Sequence, residues 1–202
     1  IPTYTSTTNT VTVNANAVDD ESGVGELVYT IKKEGVELET NTIGEFSGLE
    51  DNNTYEVVII MKDKLENVST ITTTVKTSKL QPGELEFEKS STSTKFNASN
   101  TEDNNVWINE NVNISIIESI PGTTTTYMVE KVGETGTKYT ENAIITTTDG
   151  TYKITLETTD GNNVENVVYY FNIDKTPPTL TLSKITHKDG VYGEDLYNEF
   201  YI

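Results

Sequence analysis

No cysteine and no arginine occur in these 202 residues. Without cysteine there is no disulfide, no thiolate nucleophile and no thiolate-held zinc. The basic residues number 14, all lysine, against 32 acids, for a net charge of −18. A field of that sign repels phosphate backbones and anionic lipid, which argues against nucleic acid and membrane surfaces as partners. The one histidine, His187, lies in the final stretch that reads as a truncated repeat, which argues against a Ser-His-Asp or Cys-His arrangement, and no glycine-rich phosphate loop is present. No apolar run approaches the roughly 20 residues that cross a bilayer, so no membrane insertion is expected in this segment. No charged-then-apolar opening resembles a signal peptide. The sequence begins and stops inside strand-like patterns, so the expectation is a piece of a longer protein.

What the chain does have is threonine, asparagine and alternation. Val11 and Val13 alternate with polar neighbours, and Tyr55, Val57, Ile59 and Met61 share one face of a strand pattern. Similar runs cover 27–31, 71–75, 112–116, 127–131, 152–156 and 167–171. Turn signals separate them, including Asp19-Asp20-Glu21-Ser22-Gly23, Glu34-Gly35 and Asp51-Asn52-Asn53. Short strands broken by turns every 8–12 residues predict an all-β chain of sandwich or barrel type. Pro82-Gly83 and Pro177-Pro178 are stops.

The two blocks between these stops repeat. Tyr55 precedes Asp63 by eight positions, and Glu66-Asn67-Val68 leads into a closing strand. Tyr152 precedes Asp160 by eight, and Glu165-Asn166-Val167 does the same. Each reads as a hairpin. Leu180 and Leu182 echo Leu85 and Phe87, so the end of the chain reads as the start of a third copy. A period of about 95 residues means a string of domains, not a solenoid. The expected domains are 1–80 and 81–176, with 177–202 the truncated start of a third.

Leu49, six positions before Tyr55, resembles the tyrosine corner of fibronectin-III-like and immunoglobulin-like sandwiches. The segments Asp20-Glu21-Ser22-Gly23-Val24, Asp149-Gly150-Thr151-Tyr152, Asp160-Gly161-Asn162 and Asp174-Lys175-Thr176-Pro177-Pro178 resemble the tandem repeats of Gram-positive cell-surface proteins. The resemblance implies tandem antiparallel β-sandwich domains, Ig-like or FnIII-like. It also implies an extracellular location, on a cell surface or attached to the cell wall.

Three constellations could carry chemistry. Asp19, Asp20, Glu21, Asp63, Asp160 and Asp174 could offer oxygens to calcium, the one cofactor this composition suggests, although the Asp-x-Asp-x-Asp-Gly loop is missing. The competing reading is that they form turns. Trp107 is expected in the core between sheets, with a sugar-stacking platform of Trp107, Tyr169 and Tyr170 as the alternative; adjacent Tyr169 and Tyr170 must face opposite ways, so only one can be core. Leu49, Tyr55, Trp107 and Tyr152 are thus the expected structural residues. A Lys89–Asn172 or Lys95–Asn172 isopeptide crosslink is conceivable, with no accompanying acid motif. The acids sit mainly in turns and on polar faces, so no enzyme is expected. The preferred reading is a structural spacer whose partners are neighbouring repeats of the same chain. The alternatives are an adhesin that binds a host glycan or protein, and an ancillary domain of a secreted glycan-degrading enzyme.

Overall fold

The computed structural model describes residues 1–103, 106–118 and 120–180. Among them the regular structure is entirely strand. The expected third copy and His187 lie outside the described residues beyond Leu180.

The first unit packs a small sheet on a larger one. Strands β1 (Thr3–Ser6), β2 (Val11–Asn14) and β5 (Glu45–Phe46) form the small sheet, in the order β1-β2-β5. Strands β3 (Val24–Lys33), β4 (Val36–Asn41), β6 (Thr54–Asp63) and β7 (Val68–Lys76) form the larger, ordered β4-β3-β6-β7. The fourth strand pairs with the third, unlike the constant-type immunoglobulin order, where it pairs with the fifth. Period-two alternation sends Tyr29, Ile31, Tyr55, Val57, Ile59 and Val75 inward, where they meet Val11, Val13, Phe46 and Leu49. Burying each such side chain stabilises by about 1.5–3 kcal/mol. The β3–β4 hairpin turns on Glu34 and Gly35, at φ 51° and 81°. Positive φ at both central residues matches the strands' right-handed twist, and glycine takes it without strain.

The second unit is larger. One sheet holds β8 (Glu84–Lys89), β9 (Lys95–Phe96), β11 (Val112–Glu118) and β14 (Ala143–Ile145), ordered β14-β11-β8-β9. The other holds β10 (Trp107–Ile108), β12 (Thr124–Lys131), β13 (Thr137–Tyr139), β15 (Gly150–Thr159) and β16 (Val164–Ile173), ordered β10-β16-β15-β12-β13. Its pairs are antiparallel except β10 with β16. The core gathers Leu85, Phe87, Ile114, Ile154, Leu156 and Phe171 around Tyr127. The Tyr127 hydroxyl donates to the Glu141 carbonyl at 3.0 Å, and its ring stacks on Tyr139 with centroids 5.3 Å apart. Burial pushes that phenol up to about 12.

Trp107 is not in this core; it is 65% exposed. Its neighbour Ile108 is buried and pairs with the buried Ile173, so alternation turns Trp107 outward. Tyr127 fills the central aromatic position instead. Tyr169 packs on Phe87 with centroids 5.2 Å apart, while Tyr170, in register with Lys153, faces out. The Lys–Asn crosslink finds no geometry either. Lys89 and Lys95 belong to the opposite sheet, Lys95 pairs with Glu86, and the Asn172 amide oxygen accepts from the Thr151 hydroxyl at 2.7 Å.

Candidate functional site

The acidic turns close on themselves. Asp19 Oδ1 accepts the backbone N–H groups of Gly23 and Ser22, both at 2.8 Å, and of Glu21 at 3.2 Å. Those donors, Gly23 first, pull its carboxyl below the usual range. Asp63 accepts from Asn67 Nδ2 at 2.7 Å, from the Asn67 and Leu65 N–H groups at 2.8 and 2.7 Å, and from Ser22 Oγ at 2.9 Å. Led by the Asn67 amide, these donors lower Asp63 to about 2. Asp20 and Glu21 stay exposed. Asp174 caps its own turn through the Thr176 N–H at 3.1 Å. Among the described residues no group of three acidic or histidine side chains is disposed to hold a metal ion. Asp19, Asp20 and Glu21 share one turn, which Ser22 Oγ joins to Asp63 by reaching both Asp19, at 3.2 Å, and Asp63, at 2.9 Å, while Asp160 and Asp174 lie in turns of their own. The Asp19, Asp63 and Asp160 carboxylates serve N–H donors of their own turns.

Each unit carries the same polar corner. The Tyr55 hydroxyl accepts the Glu50 N–H at 2.9 Å and faces the Glu50 carbonyl at 3.3 Å. The Tyr152 hydroxyl does the same with Thr148, at 2.9 and 3.2 Å. Beside each corner sits a carboxylate that the sequence reading missed. Asp51 Oδ2 accepts the Leu80 N–H at 2.9 Å, and Asp149 Oδ1 accepts the Lys175 N–H at 2.7 Å. Both clamps hold the chain just after it leaves the last strand of its unit. The signal was present in the repeat: an acid four residues before Tyr55 and three before Tyr152.

The two units meet at a polar joint. The turn Asp160-Gly161-Asn162-Asn163, between β15 and β16, reaches the corner of the first unit. Asn162 Nδ2 donates to the Leu49 carbonyl at 2.8 Å, and the Asp51 N–H donates to Asn163 Oδ1 at 3.1 Å. Asn163 Nδ2 reaches the carbonyls of Thr8 and Leu49, both at 3.3 Å. Asp160 Oδ2 accepts from the Thr8 hydroxyl at 2.5 Å, and the Asp160 carbonyl from Asn9 Nδ2 at 3.3 Å. Burial would raise the Asp160 carboxyl, but donors led by the Asn163 N–H outweigh it and hold it at about 2. The connecting segment is pinned at both ends. Leu80 is fully buried with its N–H on Asp51, and the Gly83 N–H donates to Thr158 Oγ1 at 2.8 Å.

No protein-family model matches the chain, and no curated protein does. Solved structures do align with it. The fibronectin(III)-like modules of Clostridium thermocellum CbhA are 10% identical, with 91% of this chain and 100% of that one covered, at a TM-score of 0.27. The SGBP-B protein of the Bacteroides ovatus mixed-linkage glucan utilization locus, in complex with a mixed-linkage heptasaccharide, is 15% identical. There the alignment covers 74% of this chain and 37% of that one, at a TM-score of 0.23. At these scores neither likeness carries weight; the all-β sandwich assignment stands on the strands and sheets themselves.

Proposed function

We propose that the chain is a non-enzymatic spacer segment of a bacterial extracellular surface protein. In this reading residues 1–80 and 81–176 are two sandwich domains, and 177–202 begins a third. The observation that supports it is the joint. Six side-chain hydrogen bonds cross between the first unit and the Asp160–Asn163 turn, and the linker is held from both sides. Loose linkers let domains move freely; a joint bonded on several sides transmits orientation from one domain to the next. The second clamp, Asp149 on Lys175, favours the same arrangement at the far end of the second domain. Neighbouring repeats are then the first partners of each domain.

Small-angle X-ray scattering on the whole chain tests this. The wild type is expected to scatter as one elongated rigid particle. Asn163→Ala, which removes three of the crossing bonds, is expected to broaden the distance distribution while each domain keeps its melting transition. A wild-type profile that already demands free inter-domain motion would sink the spacer reading.

A further inference from the structure

We infer that the outer face of the β10-β16-β15 edge is a contact surface for an uncharged glycan chain, with Trp107 and Tyr170 as its stacking groups. The inference goes beyond the spacer reading and does not depend on it. Single exposed apolar side chains are ordinary on protein surfaces. Most of the large apolar side chains exposed among the described residues are aliphatic; Trp107, at 65%, and Tyr4, at 44%, are the aromatic ones there. Trp107 also has an aromatic neighbour on its own face. It lies in register with Asn172 of β16, and Tyr170 stands two residues along that strand. One strand across and two residues along places their Cα atoms about 8 Å apart. That spacing lets two rings serve one oligosaccharide.

The surroundings select the occupant. An aromatic ring carries a negative face, which attracts the C–H groups on the face of a pyranose ring. Around the rings lie Thr151, Lys153 and Glu130, with Asn172 buried beneath them. Thr151 fixes the Asn172 amide, and Lys153 pairs with Glu130 at 3.3 Å. Thr151 and the paired Lys153 and Glu130 therefore offer polar groups to sugar hydroxyls, with the exposed Asp174 as a further acceptor two residues beyond Asn172. A net charge of −18 disfavours anionic glycans. A stable protein partner would need about 1,000 Å² or more of complementary surface, and two rings set among polar side chains fall well short. A neutral glycan, gripped weakly and repeatedly along its length, fits what is there.

Trp107 is the only tryptophan, so its fluorescence reports this face alone. The whole chain is titrated with cellohexaose, xylohexaose, mannohexaose and chitohexaose while acrylamide quenching is followed. At least one sugar is expected to shield the indole saturably and shift its emission to the blue. In native gels carrying the matching polysaccharide, Trp107→Ala is expected to lose retardation. Tyr170→Thr is expected to weaken it about tenfold, a change of about 1.4 kcal/mol. Trp107→Phe should keep part of it. Because the indole is exposed, Trp107→Ala should melt with the wild type, which separates lost binding from lost folding. No shielding by any of the four sugars overturns the proposal. So does unchanged retardation of Trp107→Ala, and so does shielding by a proline-rich peptide alone.

Discussion

The Tyr55 and Tyr152 hydroxyls each satisfy the main chain of a single residue, so deleting the oxygen orphans a backbone group near the core. Tyr55 is 2% exposed, and the Glu50 N–H loses its acceptor in Tyr55→Phe. A net hydrogen bond and the exposed orphan together cost about 1–2 kcal/mol. Urea unfolding should show a lower midpoint with an unchanged slope, and Tyr152→Phe should do the same. A changed slope would mean that the denatured state, not the corner, had moved. The tyrosines were legible in the sequence because the repeat places each eight residues before an aspartate. The fate of the aspartates was less so. Asp19 and Asp63 read first as turn formers and second as calcium ligands, since both uses favour acids among small polar residues. In the structure their oxygens point at N–H groups two to four residues on, which favours the turn use. Calcium needs six to eight converging oxygens. Millimolar calcium and chelator are therefore expected to give the same melting temperature. A calcium-dependent rise of several degrees would restore the metal reading.

Strands show themselves through alternation only when they are long enough to alternate. β6 and β15 run ten residues each and could be traced from their apolar faces. β10 has two residues, so period could not orient it. A lone tryptophan in a sandwich suggested an inward side chain, whereas the pairing of Trp107 with β16 fixed the opposite. Short β5 shows the complementary case, where a glycine sets the strand. Gly44 has φ 72°, and its N–H is held by Asn41 Oδ1 at 2.8 Å. Its carbonyl accepts from the Val13 N–H at 2.8 Å, which leads the chain into the small sheet. A Cβ there would lie 2.3 Å from the Val13 carbonyl oxygen, a backbone atom with little room to yield. Gly44→Ala thus combines a strained backbone with a clash. The expected cost is about 2 kcal/mol or more, read as a lower urea midpoint for the first unit. Gly35→Ala offers a control: φ is also positive, but nothing lies within 4 Å of the added carbon. It should cost less. Equal losses would mean that backbone strain alone, and not the approach of Val13, makes glycine necessary at Gly44.

The joint between the units was invisible to sequence reasoning because it pairs residues more than 100 positions apart. Asn162 and Asn163 are ordinary turn residues in isolation, and only the fold brings them to Leu49 and Asp51. That joint also gives the molecule a predictable acid response. Asp160 sits at about 2 against an ordinary 3.8, partly through the Thr8 hydroxyl of the other unit. Opening the joint strips away Thr8 but leaves the turn's own donors, so part of the shift is returned. A carboxyl whose pKa is lower in the closed form favours closure while it is ionised. That preference is whole above about pH 4 and fades as the pH falls toward about 2. Scattering profiles of the wild type should therefore be superimposable between pH 7 and pH 5, then broaden toward pH 2.5. Many other carboxyls protonate in the same window, which reduces the overall negative charge and works against any opening driven by repulsion. Asp160→Asn isolates the one group: it removes the charge at every pH, so its joint should be looser at pH 7 and less sensitive to acid. If the variant and the wild type broaden in parallel as the pH falls, the Thr8–Asp160 contact does not govern the joint. The asparagine amides would then be what holds the two units in line.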